Sequence, residues 1–276
     1  MSSVPVWRPI VTILVILVTL KVVVWLLEPR MAFFPIRGVQ ETPAAFGLPF
    51  ADLEIRTPDG ETLHAWWLEH PEPRGQVLFW HGNGGNLSLW LDVIAELRRR
   101  GFSVLATDYR GYGASTGKPS ERGIYTDADA AVAWFNERLR RPGAPVIFWG
   151  RSIGTAVAAS ATSRVSPDAL VLESPFPDLH GLFRGNPVMR VLLPFSSYKF
   201  ATLRLIERYE GPLLVIHGNR DRVIPFRAGR EVFERAATRR KEFVAIPGAD
   251  HNDLHVVDAA AYWAAIDRFV SGLQKS

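Results

Sequence analysis

The sequence predicts an α/β fold: eight strands in a mostly parallel sheet, with helices covering both faces. Two observations predict the sheet. From Gln76 onward, short runs that are apolar at nearly every position alternate with longer segments of helical period. A strand buried on both faces needs apolar side chains throughout, whereas a half-solvated strand alternates. A third observation adds a separate element. An apolar run, Ile10 to Leu27, stands apart at the front of the chain.

That front run reads IVTILVILVTLKVVVWLL and is apolar except for Thr12, Thr19 and Lys21. Its eighteen residues at 1.5 Å rise make about 27 Å, close to the hydrocarbon thickness of a bilayer. Trp7 and Trp25 are spaced to sit at opposite interfaces. Lys21 opposes the reading, because a central lysine costs about 3 kcal/mol on insertion scales. A cleaved signal peptide is disfavoured, since Glu28-Pro29-Arg30-Met31 is no cleavage site. A core helix of the main domain is disfavoured because the run is apolar on every side. Residues 1–30 are therefore expected to be a membrane anchor. Arg8 lies before the span and Arg30 and Arg37 after it, so basic residues set no direction across the bilayer.

Residues 31 to 50 are rich in Pro and Gly and read as an irregular arm. Leu53–Thr57 and Thr62–Glu69 are expected strands across the turn signal Pro58-Asp59-Gly60. Gln76–Trp80, Phe102–Thr107, Pro145–Trp149, Ala169–Leu172, Pro212–Ile216 and Glu242–Ile246 are the remaining strands. Helices are expected at Leu87–Arg100, Gly123–Arg141, Ile153–Arg164, Phe226–Ala237 and Leu254–Leu273. Between strands, residues 175 to 211 are too long for a simple crossover turn. They are expected to form a small helical cap over the carboxyl edge of the sheet, within a main domain of residues 31–276.

Composition narrows the function classes. The chain has 276 residues, 47% of them hydrophobic, which suits one large domain plus an appendage and is too apolar for disorder. Its formal net charge is +4, a small excess over 32 basic and 28 acidic side chains. The Arg clusters fall at expected helix ends, where cations oppose the negative end of the helix dipole. No stretch interleaves basic and aromatic residues as a nucleic-acid surface would. Cysteine is absent, so there is no disulfide framework, thiolate metal site or Cys nucleophile.

Gly150-Arg151-Ser152-Ile153-Gly154 fits G-x-S-x-G, lying directly after one strand and directly before a helix of small residues. A nucleophile elbow requires that strand-turn-helix, with residues lacking bulk on either side of the serine. The alternative is a glycine-bounded helix start with Ser as N-cap. A serine hydroxyl needs a base, and the base an orienting acid. Asp221 follows the strand Leu213–Ile216 in His217-Gly218-Asn219-Arg220-Asp221, and His251 follows the last strand in Pro247-Gly248-Ala249-Asp250-His251. His217 is expected to brace the acid loop. HNDLH, from His251 to His255, lacks the glutamate of a zinc helix, so no metal is expected. His81-Gly82-Asn83-Gly84-Gly85-Asn86 lacks the Gly-Lys-Ser/Thr of a phosphate loop. It is placed instead to stabilise an oxyanion, with the backbone N–H of Asn83 joined by that of Ile153. Asp108 and the glycines of Gly111 to Gly117 read as a structural turn at the sheet edge.

Taken together, FFP at Phe33, TPDGETLHAWW at Thr57, HGNGGN at His81, DYRGYGASTGKPSERGIYTDA at Asp108, GRSIGTAVA at Gly150, LESPF at Leu172 and HGNRDRVIP at His217 resemble the α/β-hydrolase family. The nearest likeness is to its BEM46-like branch, which takes in the α/β-hydrolase domain-containing proteins 13 and 17 and is similar in having an N-terminal membrane segment. The resemblance runs from about Phe33 to the C-terminus. It implies an α/β-hydrolase fold, Ser152 as nucleophile, Asp221 as acid, His251 as base, oxyanion donors at Asn83 and Ile153, and no cofactor. The chain departs from the branch at GADHND, which sets Asp250 beside the base. The expected activity is hydrolysis of a carboxylic ester or thioester. The cap aromatics Phe176, Phe183, Phe195, Tyr198 and Phe200, with the anchor, point to a lipid-like or acylated substrate. A serine peptidase of the same fold and a non-catalytic membrane scaffold are the alternatives.

Overall fold

The computed structural model describes residues 7–273, so the first six residues of the expected anchor and the last three of the expected main domain lie outside the described residues. The large sheet comprises β1 (Ala51–Arg56), β2 (Thr62–Leu68), β3 (Gly75–Trp80), β4 (Phe102–Thr107), β5 (Val146–Arg151), β6 (Ala169–Glu173), β7 (Leu213–Gly218) and β8 (Lys241–Ile246). Their spatial order is β1-β2-β4-β3-β5-β6-β7-β8. β2 runs antiparallel to both neighbours, and every other pairing is parallel.

The helices are α1 (Trp7–Ala32), α2 (Leu91–Arg99), α3 (Glu121–Arg138), α4 (Ile153–Ala161), α5 (Leu179–Leu182), α6 (Pro187–Leu192), α7 (Thr202–Ile206), α8 (Phe226–Arg235), α9 (Leu254–Val257) and α10 (Ala259–Leu273). Successive strand residues enter different cores. Leu78, Trp80 and Phe148 pack with Ile124 and Phe135 of α3, Val157 of α4 and Val232 of α8. Val77, Phe79, Ile147 and Trp149 pack on the other face with Leu97 of α2 and with Tyr262, Ile266 and Val270 of α10. Both faces are dry, which is why the strands read as continuous apolar runs.

Among the boundaries that differ from the expectations, three have a clear local reason. The helix expected from Leu87 opens as a 3-10 turn, Leu87–Trp90, because the Asn86 side chain accepts from the Ser88 amide at 2.9 Å. The helix expected from Gly123 starts at Glu121, with the Ser120 hydroxyl accepting from the Gly123 amide at 3.1 Å. The single helix expected over Leu254–Leu273 breaks at Asp258, whose carboxylate accepts from the Ala261 amide at 2.9 Å and caps α10.

α1 is long and apolar enough to span a membrane. It runs on through Pro29 to Ala32. The arm that follows is not wholly irregular: Phe34–Pro35 pairs in parallel with Gly84–Gly85. The 175–211 insertion folds as α5, α6, the 3-10 turn Leu193–Phe195, and α7. Strand order reverses around β3, with β4 on one side and β5 on the other. Such a switch point opens a crevice at the strands' carboxyl ends, where open α/β sheets hold their ligands.

Candidate active site

Four loops meet at that carboxyl edge. β5 ends at Arg151, α4 begins at Ile153, and Ser152 alone makes the turn with φ 54° and ψ −121°. No ordinary L-residue rests there, and the surroundings enforce it. The Ser152 amide donates to the Glu173 carbonyl at 2.9 Å. A Cβ on Gly150 would lie 2.1 Å from the Gly154 carbonyl oxygen, and one on Gly154 would lie 2.2 Å from the Trp80 carbonyl oxygen. The two glycines of the motif are thus demanded by close backbone approach.

The loops after β7 and β8 are laced together. The Asn219 side chain accepts from the Gly248 amide at 2.8 Å, and the Arg220 amide donates to the Ala249 carbonyl at 3.0 Å. A Cβ on Gly218 would sit 2.4 Å from that same Ala249 oxygen. This packing brings His251 between Asp221 and Ser152. Its Nδ1 lies 2.8 Å from Asp221 Oδ2, and its Nε2 lies 3.1 Å from Ser152 Oγ. A carboxylate can only accept, so Nδ1 carries the proton and Nε2 turns a lone pair toward the hydroxyl.

Asp221 is held ionised. Burial would raise its carboxyl, but hydrogen bonds from His217 and His251, and the Ile224 amide, outweigh burial and hold it well below the usual carboxylate range. Oδ1 accepts from the Val223 and Ile224 amides at 2.9 and 2.7 Å. His217 braces this loop, its Nε2 donating to the Ile224 carbonyl at 3.0 Å. Asp250, the departure beside His251, forms an ion pair with Arg222, and its Oδ1 accepts from the Arg222 and His251 amides at 2.9 and 2.8 Å. His255 turns away to Asp92, with Nε2 2.6 Å from Oδ2.

The fourth loop, His81 to Asn86, passes beside the serine: a Cβ on Gly82 would lie 3.6 Å from Ser152 Cβ. Among the described residues, the backbone N–H groups of Asn83 and Ile153 donate to no protein acceptor. The segment after Asp108 holds this loop from below. Tyr109 Oη donates to the His81 carbonyl at 2.7 Å, and Tyr112 Oη donates to the Asn83 carbonyl at 2.8 Å. Asp108 accepts from the Leu87 amide at 3.0 Å and pairs with His64 at 2.9 Å. Burial would raise its carboxyl, yet hydrogen bonds from His64 and His81 hold it below the ordinary value.

Sequence reasoning named Ser152, Asp221 and His251, which the structure brings together, but missed the residues that support them, Tyr109, Tyr112, Arg151 and Glu173. Arg151 is fully buried, its guanidinium 4.6 Å from the Trp90 ring centre and 3.5 Å from Glu173. Glu173 accepts from Trp149 Nε1 at 2.6 Å and Tyr262 Oη at 2.5 Å. A charged residue in the variable position of G-x-S-x-G, directly before a helix of small residues, was the available signal.

A family model described as "Serine aminopeptidase, S33" matches residues 71–211. The chain is 31% identical over 243 residues to the α/β-hydrolase domain-containing protein WAV2 of Arabidopsis thaliana, covering 80% of this chain and 79% of that one. The chain belongs to the α/β-hydrolase family. It is 34% identical to α/β-hydrolase domain-containing protein 17C of Xenopus tropicalis, covering 78% of this chain and 68% of that one. It is also 32% identical to an uncharacterized protein of Mycobacterium tuberculosis (strain H37Rv), with 90% and 89% covered. Among solved structures, the Pyrococcus furiosus esterase Pf2001 aligns with a TM-score of 0.72 at 25% identity, covering 87% of this chain and 96% of that one. This α/β hydrolase therefore has esterase neighbours at the family level, and its mostly parallel eight-stranded sheet is the one expected.

Proposed function

We propose that this hydrolase cleaves carboxylic esters or thioesters through an acyl-enzyme intermediate, with Ser152 as nucleophile, His251 as general base and Asp221 as the orienting acid. The observation that carries the reading is the unbroken chain of contacts from Ser152 Oγ through both nitrogens of His251 to Asp221, set on a strained turn.

In the first step Oγ attacks the substrate carbonyl carbon while Nε2 takes the hydroxyl proton. Negative charge moves to the carbonyl oxygen, where the free N–H groups of Asn83 and Ile153 are placed to receive it. One such donor is worth about 3 kcal/mol in the transition state. The imidazolium is stabilised by the Asp221 carboxylate and returns its proton to the leaving alcohol or thiol. Water then repeats the sequence on the acyl-serine and regenerates the hydroxyl.

The peptidase reading draws on the description of the matching family model. An aminopeptidase must also bind a free ammonium beside the scissile bond. The carboxylates around His251 are already engaged: Asp221 by two histidines, Asp250 by Arg222, and Asp253 by the Asp250 amide. That favours an ester or thioester. The cap aromatics lend less support to a lipid-like substrate than the sequence suggested. Phe176 and Phe200 are buried, and Phe200 meets Phe33 and Tyr198 edge to face, as a small core of its own. The lipid-like reading rests instead on α1 as a membrane anchor. A panel of acyl esters, acyl thioesters and amino-acid amides, run on wild type and Ser152→Ala, tests the proposal. Serine-dependent turnover of esters or thioesters is expected, and turnover of amides alone would favour the peptidase.

A further inference from the structure

α1 meets the rest of the chain within its own apolar run. The residues from Trp7 to Thr19 are all exposed, and contact begins at Leu20. Leu20, Val24, Glu28 and Ala32, four apart on one helix face, are its shielded positions, with Pro29 beside them. At the same level Lys21 Nζ donates to the Phe195 carbonyl at 2.7 Å and to Ser197 Oγ at 3.1 Å, and Glu28 accepts from the Ser197 amide. All three partners belong to the insertion between β6 and β7.

The lengths then conflict with a membrane ending where the insertion begins. Thirteen free residues at 1.5 Å rise reach only about 20 Å, against about 30 Å of hydrocarbon. The remaining apolar residues, Val22 to Leu27, run alongside the insertion. Lys21, the one charge in the apolar run, has its ammonium bound by the insertion's own oxygens, which lowers the cost of holding it at depth. α6 leads straight into the 3-10 turn that touches α1, and it exposes Val188 and Val191 to 63% and 61%.

Resting on the reading of α1 as an anchor, we propose that the 175–211 cap is itself seated in the lipid leaflet beside α1, with Val188 and Val191 in contact with acyl chains. The occupant of this apolar face is the bilayer, because α6 runs directly into the turn whose Phe195 carbonyl binds Lys21, within the apolar run of α1. The insertion leaves β6 just after Glu173, whose carbonyl accepts from the Ser152 amide, so it departs from the sheet edge that carries Ser152, and with the insertion in the leaflet the site opens toward the lipid. A substrate ester whose acyl chain resides in the membrane reaches it without crossing water.

The absence of cysteine makes the test clean. Single-cysteine variants of the full chain, Val15→Cys in α1, Val188→Cys and Val191→Cys in the cap, and Glu72→Cys before β3, are labelled with nitrobenzoxadiazole. They are reconstituted into phosphatidylcholine vesicles with and without doxyl-labelled lipid. Quenching by doxyl lipid is expected at positions 15, 188 and 191 and not at 72. Quenching at 15 without quenching at 188 and 191 overturns the proposal and leaves the anchor standing. A blue shift at 188 and 191 that doxyl lipid does not quench also overturns it, pointing to a protein partner. No quenching at position 15 removes the anchor reading, and the proposal with it.

Discussion

The guanidinium of Arg151 donates to the main-chain carbonyl of His251 at 3.1 Å. The residue before Ser152 thus holds the loop that carries His251. The same guanidinium lies against Glu173, which Trp149 and Tyr262 also bind. Burial pushes the Tyr262 hydroxyl well above its usual value, so it remains a donor to Glu173.

Arg151→Met is expected to destabilise the fold and to lower kcat more than KM. Removing one partner of a buried pair costs about 3–5 kcal/mol. The two remaining donors on Glu173 place this case at the lower end. Arg151→Met with Glu173→Gln should recover much of the stability, because no buried charge is left uncompensated, but not the rate, because the His251 loop is still untethered. Urea denaturation and ester kinetics on both variants check this.

Asp221→Asn should leave the fold intact and lower kcat by about 10⁴, since the amide cannot hold His251 in the tautomer that faces Ser152. Turnover within tenfold of wild type would mean that another group orients the base.

The elbow glycines should differ sharply from a glycine in the neighbouring loop. Gly154→Ala drives a methyl to 2.2 Å from the Trp80 carbonyl oxygen, whereas Gly84 has nothing within 4 Å of an added Cβ and no left-handed backbone. Gly154→Ala is expected to lose soluble expression or several degrees of Tm, while Gly84→Ala keeps the wild-type Tm. Thermal melts on both decide it.

What was legible in the sequence follows from what a linear pattern can encode. The strands were legible because both sheet faces are covered, leaving β3, β5 and β7 apolar at nearly every position. Ser152, Asp221 and His251 were legible because each follows a strand at the same sheet edge, in the chain order of the fold. The partners of Lys21 were not: Phe195 lies 174 residues away, and nothing local distinguishes a satisfied lysine from an isolated one. Nor was the break at Asp258, where one capping carboxylate overrides an unbroken helical period.

The pairing of His64 with Asp108 should give stability a pH dependence. Burial would lower His64, but the hydrogen bond and charge of Asp108 outweigh it and raise it above 6.5. A raised histidine contributes stability that is fully present below 6.5 and is lost as pH rises through its folded value. Asp108, lowered from 3.8, contributes stability that is present above 3.8 and is lost as pH falls through its folded value. Between these limits both contributions are present. Tm should fall from pH 6 toward pH 9, and His64→Asn should flatten that alkaline limb.

The central claim is that Ser152 is the nucleophile, made reactive by His251. A fluorophosphonate probe forms a covalent bond only with a serine whose proton a neighbouring base removes. The account predicts labelling of the folded wild-type chain, no labelling of Ser152→Ala, and strongly slowed labelling of His251→Ala. A folded wild type that resists the probe, or a Ser152→Ala variant that still labels, would contradict it.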